Sequence, residues 1–421
     1  MTQKRIGNWY FGWNIVAAAT LITLLTVGMR MGIGPFFIPI AESLELSRTL
    51  LATIVAVGML VYGVGMPIAG YLAQAYGSRF VLILGTVLVV IASVWTVRAS
   101  HPFSFFLAFG VLLSLGFSFT SPVALTPMIS RWFTRRRGMA LFFLSTGSMA
   151  GIAIMTPLLT FAIQRRGWQG TMLWFAAIFV LLVVPATLLI IRDDAPAGTD
   201  TLANVAGAAE PVAAPAFTFQ EAIRTSSFWK IAIGMFVCGF SMNLLGTHGV
   251  PMLADHGFDV VTAAFGIGLI GLVAIPSTLV LGRMADRLPR KNLLAAIYLI
   301  RGLGFFGLLL VATVGELYAV AALGGFVWAG SIALSSAILA DVYGIRSVGV
   351  LYGWTYFGHQ VGAMISSWLG GWGFETFGTH WVAFGSSGVL LLLASAVSFR
   401  LPRQDALPSV AVKTTRTQAA S

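Results

Sequence analysis

Twelve long apolar stretches fill most of the chain, and none of its 14 acidic residues falls well inside one, whereas two arginines, Arg30 and Arg301, do. A bare cation in hydrocarbon is expensive, so it is expected to face a wet cavity or an anionic partner. With no acid inside the stretches to neutralise it, that partner is expected to arrive from solution. The asymmetry points to a carrier of small organic anions.

Composition agrees with the class. With 58% hydrophobic and 9% charged residues in 421 and a mean hydropathy of +0.90, the chain has more apolar surface than a soluble domain of this size can hide. Spans are expected at 9–40, 50–74, 79–97, 103–130, 139–163, 169–191, 227–252, 261–285, 292–314, 317–342, 348–372 and 380–401, each near the roughly 20 residues that cross a bilayer as a helix. The expected fold class is therefore an all-α membrane protein with 12 transmembrane helices.

Orientation follows from the basic residues. Placing both termini in the cytoplasm puts nineteen Lys and Arg on that side, including Arg79, Arg131, Arg135, Arg136, Lys291 and Arg346, and leaves Arg48, Arg98, Arg165 and Arg166 on the other. The net charge of +11 is thus mostly a topology signal, and no nucleic-acid partner is expected because no soluble domain exists to carry one. The single cysteine, Cys238, has no partner for an intrachain disulfide and reads as a packing residue. The first apolar segment is too long for a cleaved signal and reads as a span that stays.

Residues 192–226 interrupt the apolar pattern with Asp193, Asp194, Pro196, Gly198, Asp200 and a run rich in Ala, Pro and Gly, a composition that cannot build a core. The expected organisation is an N-terminal six-helix bundle at 1–191, a cytoplasmic linker at 192–226, a C-terminal six-helix bundle at 227–403 and a disordered tail at 404–421. An internal repeat relates the halves. Pro39, Gly70 and Arg79 recur 212 residues later as Pro251, Gly282 and Lys291, while Arg135, Gly138, Gly147 and Gly151 recur after 211 as Arg346, Gly349, Gly358 and Gly362. Both copies start on the same side, so the bundles are expected to be parallel-related, with substrate between them near mid-membrane.

The stretch Gly282-Arg283-Met284-Ala285-Asp286-Arg287-Leu288-Pro289-Arg290-Lys291 resembles the G-x-x-x-D-R-x-G-R-[KR] loop of the major facilitator superfamily. Its first-half counterpart is degenerate, with Gln74 and Ala75 where Asp and Arg belong. The resemblance implies a cytoplasmic gate made of Gly282, Asp286, Arg287 and Arg290, with Asp341 joining it through Arg346 or Arg131. Arg131-Trp132-Phe133, Arg136-Arg137-Gly138, Phe228-Trp229 and Trp328-Ala329-Gly330-Ser331 are similar to bacterial monocarboxylate carriers and oxalate:formate antiporters within that superfamily. This implies alternating-access transport of small carboxylates. Thr278 stands where the family often carries a substrate-binding arginine, and His359 stands where oxalate carriers have lysine.

Arg30 is the leading substrate candidate, because Thr23, Thr26, Arg30 and Gly34 recur at spacings of three and four and form one polar helix face. A guanidinium is a planar fork that matches a carboxylate. His359 lies on a comparable stripe with Tyr352, Thr355 and Tyr356, and the repeat places Ser148 at the equivalent point; it is expected as a pH-sensitive second contact. Trp328 and Ser331, one turn apart, are expected to pack the cargo's apolar part and bond its polar end. Asn243 and His248 are further candidates, though amides also bridge helices. Arg301 is expected to be structural, snorkelling or binding the end of the eighth or tenth helix.

No phosphate loop, HExxH or clustered Cys/His set occurs, so no cofactor, no metal and no enzyme activity are expected. The expected protein is a multi-pass carrier of the bacterial inner membrane, in contact with lipid, working as a monomer on a small monocarboxylate or hydroxy-acid by exchange or facilitated flux. An exporter of drugs or other amphipathic compounds is the alternative, and a non-transporting anion receptor is a third reading without an output domain.

Overall fold

The computed structural model describes residues 10–133, 137–193, 219–344 and 348–402, and all regular structure among them is helical. Arg135, Arg136, Arg346, most of the expected linker and all of the expected tail lie outside the described residues, as do the side chains of Gln74 and Asp286. Ten described helical runs are long and apolar enough to cross a membrane. Large apolar side chains such as Leu181, Leu189 and Leu310 stand exposed on them, which suits a lipid solvent and would be costly in water.

The chain packs as two compact units, Met1–Ile40 with Val61–Ala206, and Ala41–Leu60 with Gly207–Ser421. The first contains α1 (Gly12–Met31), most of α2 (Gly34–Ser43), the second half of α3 (Arg48–Tyr76) and α4 (Ser78–Arg98). It continues with α5 (Pro102–Phe105), a π-helical stretch at Phe106–Leu113, α6 (Ser114–Phe119), α7 (Pro122–Trp132) and α8 (Arg137–Pro185). The first stretch is not one helix but two. The chain turns at Gly32 and Ile33, just ahead of Pro35, which is tolerated in a first turn because it lacks an N–H. The fourth stretch breaks in the same way at Thr120–Ser121, and Pro122 opens the next helix. Within α8, Gly167 sits at φ +71° and ψ 171°, a conformation that penalises any side chain with a Cβ. It divides this run between the expected fifth and sixth spans.

The second unit holds the first half of α3 and α9 (Phe219–Ile223), α10 (Ser226–Asp255), α11 (Val260–Arg287), α12 (Arg290–Leu310) and α13 (Val314–Phe326). It ends with α14 (Gly330–Tyr343), α15 (Val348–Phe377), a π-helical turn at Trp381–Gly385 and α16 (Ser386–Phe399). A turn at Val327–Ala329 separates α13 from α14 inside the expected tenth span.

The repeat read from the sequence reappears inside each unit. In the first, α1 crosses α8 where Gly28 meets Gly151; a Cβ on Gly151 would stand 2.6 Å from the Leu24 carbonyl. The offsets of 212 for the first span and 211 for the fifth carry Leu24 to Phe236 and Gly151 to Gly362. There α10 crosses α15 in the same way: a Cβ on Gly362 would run into the Phe236 carbonyl, and one on Gly239 of α10 would run into the His359 carbonyl of α15. Helix ends repeat as well. Arg79 donates to the carbonyls of Ile191 and Leu188, and Lys291 donates to those of Phe399 (3.1 Å) and Leu401 (2.8 Å). In each unit a base at the start of one helix thus satisfies terminal carbonyls that have no helical partner of their own. Replacing Lys291 by Met is expected to lower stability by about 1 kcal/mol, measured as the melting temperature of purified protein; an unchanged value would show that water or Lys230, which reaches the Arg400 carbonyl at 2.9 Å, suffices.

Candidate functional site

In the first unit, Arg30 occupies the last turn of α1, next to the break at Gly32. It is half-buried, and its guanidinium carbon lies 4.2 Å from the centre of the Tyr62 ring on α3. A cation over a ring face at this distance is attracted by the ring's quadrupole. The rest of the expected polar face is used differently. Thr26 donates to the Thr120 hydroxyl at 2.9 Å, and both are fully buried. They tie α1 to the break in the fourth stretch. Thr23 is buried too, while Gly34 begins α2. Ser148 is half-buried on α8, one residue past Gly147, which packs on the Thr20 carbonyl.

In the second unit the expected residues fall into three groups. His359 is buried on α15 with its ring stacked on Tyr356, centroids 4.9 Å apart and nearly parallel, and Tyr356 in turn contacts Tyr352. This brings together the stripe read from the sequence. Asn243 and His248, both buried on α10, serve helix packing: Asn243 donates to the Gly239 carbonyl at 3.0 Å, and the His248 ring nitrogen Nε2 lies 2.7 Å from the Ser367 carbonyl. Gly370 makes room for that imidazole, since a Cβ there would collide with it. Thr278 returns its hydroxyl to the Ala274 carbonyl of its own helix.

Trp328 lies in the turn between α13 and α14, Ser331 lies at the start of α14, and they are 3% and 0% exposed. Arg301 meets them there. It is 1% exposed and donates from Nη2 to the carbonyls of Val327 (3.0 Å) and Trp328 and to the Ser331 hydroxyl (3.2 Å). Its Nη1 lies 3.5 Å from Cys238 Sγ, which is 3.2 Å from the Ser331 oxygen. Cys238 is therefore more than packing. Spacing alone gave no sign of this cluster, because its members are 63 and 30 residues from Arg301 in sequence.

Of the expected gate residues, Arg290 and Asp341 form an ion pair between α12 and α14, with Arg290 Nη1 donating to both carboxylate oxygens at 2.6 and 2.8 Å. The sequence had expected Asp341 to meet Arg346 or Arg131. Arg287 is exposed, and Gly282 is exposed with nothing within 4 Å of where a Cβ would stand. Gly282→Ala is accordingly expected to leave stability unchanged or to raise it by about 0.5 kcal/mol. If transport nonetheless falls while the melting temperature holds, the glycine serves motion and not packing.

A second ionic cluster was not expected at all. Arg48, at the start of α3, donates to Asp255 at 2.5 and 3.1 Å, and His380 Nε2 lies 3.0 Å from the same carboxylate. The Phe374 ring contacts both bases, 4.2 Å from the Arg48 guanidinium carbon and 4.4 Å from the His380 ring centre. One residue on, the Thr49 N–H donates to Glu375 at 2.7 Å. Nearby, burial and the neighbouring His380 hold the His256 pKa below the usual imidazole value.

Comparison with known proteins adds to this geometry. Residues 19–317 and 277–420 match the model of the Major Facilitator Superfamily. Human Monocarboxylate transporter 11 is 30% identical, with 96% of this chain and 84% of that protein covered. The uncharacterized MFS-type transporter YcxA of Bacillus subtilis (strain 168) is 26% identical over 86% of each chain. Among solved structures, a D-xylose-proton symporter superposes with a TM-score of 0.72 at 16% identity, covering 94% of this chain and 99% of the other. A bacterial homolog of the human lysosomal transporter Spinster superposes with a TM-score of 0.70 at 17% identity, covering 93% and 97%. At such identities the two superpositions speak for the fold alone.

Proposed function

The chain belongs to the major facilitator superfamily of membrane transporters, and from that premise we propose that it carries a small monocarboxylate or hydroxy-acid by alternating access. The observation that carries the reading is Arg30, a half-buried cation stacked on Tyr62 at a helix break in a membrane-spanning run that contains no acidic residue. The name of the human relative, a monocarboxylate transporter, favours the same cargo class. One fixed cation suits one carboxylate; a dianion would call for two. His359 on its Tyr356 platform is the second polar contact, with Trp328 and Ser331 bounding the cargo.

Twelve spans with both termini in the cytoplasm, a bacterial inner-membrane location and a functional monomer complete the proposal. Flux is by anion exchange or facilitated diffusion, with His359 or His248 the groups able to carry a proton if uptake follows a pH gradient. The test is thermal stabilisation of purified protein by a panel of carboxylates, in the parent and in Arg30→Gln. A carboxylate that raises the melting temperature of the parent is expected to lose about tenfold or more in apparent affinity in the variant, the equivalent of about 1.4 kcal/mol. Equal stabilisation of both proteins removes Arg30 from the site. Stabilisation by neutral amphipathic compounds and by no carboxylate would instead support an exporter.

A further inference from the structure

Arg301 does more at the tenth span than fill space. In an unbroken helix the carbonyls of Val327 and Trp328 would accept from N–H groups four residues on. Here Arg301 Nη2 donates to both carbonyls and to Ser331, while Nη1 reaches Cys238. One guanidinium therefore joins α10, α12, the turn at Val327–Ala329 and the start of α14.

The first half builds its own break, about one turn further along the repeat, without a cation. Thr26 and Thr120 stand where the repeat places Cys238 and Ser331, 212 and 211 residues later, and they bond directly at 2.9 Å. Thr120 also bonds the carbonyls of Gly116 and Phe117 itself. The counterpart of Arg301 is Val89 or Val90, at the same two offsets. A break of this kind thus does not need an arginine to exist, so the cation adds something specific to the second half.

Beside it, the Trp328 indole lies 5.2 Å from the guanidinium carbon, and its buried Nε1–H has no hydrogen-bond partner among the described residues. A buried N–H without an acceptor is costly to keep. An oxygen supplied by a ligand would relieve that cost.

We propose that Arg301 is a positioning residue: it fixes the turn so that Trp328 Nε1–H donates to an oxygen of the cargo's carboxylate, with Ser331 held alongside. The proposal rests on the carboxylate reading given above. It leaves Arg301 itself committed to backbone carbonyls and out of contact with cargo.

The experiment uses the full chain in proteoliposomes with lactate as probe. Arg301→Lys keeps the charge but cannot reach two carbonyls, a hydroxyl and a thiol from one planar fork. It is expected to raise the KM for lactate about tenfold with Vmax within about twofold of the parent. Trp328→Phe, which keeps a ring and removes the N–H, is expected to do the same. Combining the two is expected to add little, because both act on one contact. An Arg301→Lys variant that melts lower but transports with the parental KM overturns the proposal, as does a double variant whose effects multiply.

Cys238 is the only cysteine of the chain, so its rate of labelling by a maleimide reports the clamp whatever the cargo. Loosening the turn in Arg301→Lys is expected to speed labelling at least about tenfold, since a buried thiol reacts only through local opening. An unchanged rate refutes the clamp. If the parent binds no carboxylate and Arg30→Gln changes nothing, the carboxylate reading falls, and the labelling rate still decides whether Arg301 holds the turn.

Discussion

Gly239→Ala is expected to cost more than about 3 kcal/mol and to leave little folded protein in the membrane. The added methyl would coincide with the His359 carbonyl. Backbone, unlike the end of a flexible side chain, cannot step aside without moving a whole helix. At the neighbouring crossing points Gly362 faces the Phe236 carbonyl and Gly370 faces the His248 ring, so α10 and α15 touch along much of their length and have no slack to share. Gly28→Ala in the first half is expected to be milder. Its closest neighbour is Met155 Cγ at 2.5 Å, part of an unbranched side chain that can repack, before the Gly151 carbonyl at 2.9 Å. The measurement is the yield and melting temperature of detergent-extracted protein, with Gly282→Ala as the control. A Gly239→Ala variant that melts within about 2 °C of the parent would show that the two helices are not held this close.

Asp255→Ala is the second large effect. The carboxylate accepts from Arg48 and from His380, and removing it strands two donors at once. Breaking a fully buried ion pair typically costs about 3–5 kcal/mol. The side chains of Arg48 and Asp255 are 28% and 19% exposed, so solvent screens the pair and about 2 kcal/mol is the reasonable expectation. A cycle with Arg48→Met checks it: the double variant is expected to lose about 1 kcal/mol less than the sum of the singles. Strict additivity would mean that Arg48 is held by the Phe374 ring alone. Asp255→Asn, which keeps the shape and drops the charge, separates hydrogen bonding from charge at the same place.

Much of the architecture was legible because bilayer length and hydropathy leave few choices. The apolar runs became helices, and Gly167 fell between the fifth and sixth of them. The repeat, read from a handful of matched Gly, Pro and basic positions, reappears as matched crossings, Gly151 on the Leu24 carbonyl and Gly362 on the Phe236 carbonyl, and as matched caps at Arg79 and Lys291. Polar side chains were harder to place. A threonine stripe on one helix face says which residues share a side, yet Thr26 spends its hydroxyl on Thr120, a partner 94 residues away that periodicity cannot name. His248 and Asn243 likewise serve neighbouring backbone. Arg301 does meet carbonyls at a helix break, the kind of partner its sequence position suggested, but its link to Cys238 and Ser331 depends on where three helices meet. The sequence marks Arg48 only as a charge on the far side and does not single out Asp255 or His380; the meeting of both bases at one carboxylate is a tertiary fact.

The two compact units do not divide the sequence at one point, because residues 41–60 group with the C-terminal unit while 61–76 of the same helix stay with the first. A gene cut near residue 206 would therefore not yield two self-sufficient fragments. Made alone, the leading piece would present the Gly371 and Phe374 contacts of Arg48 and Ala52 as bare surface. Co-expression of both pieces should rescue each from proteolysis.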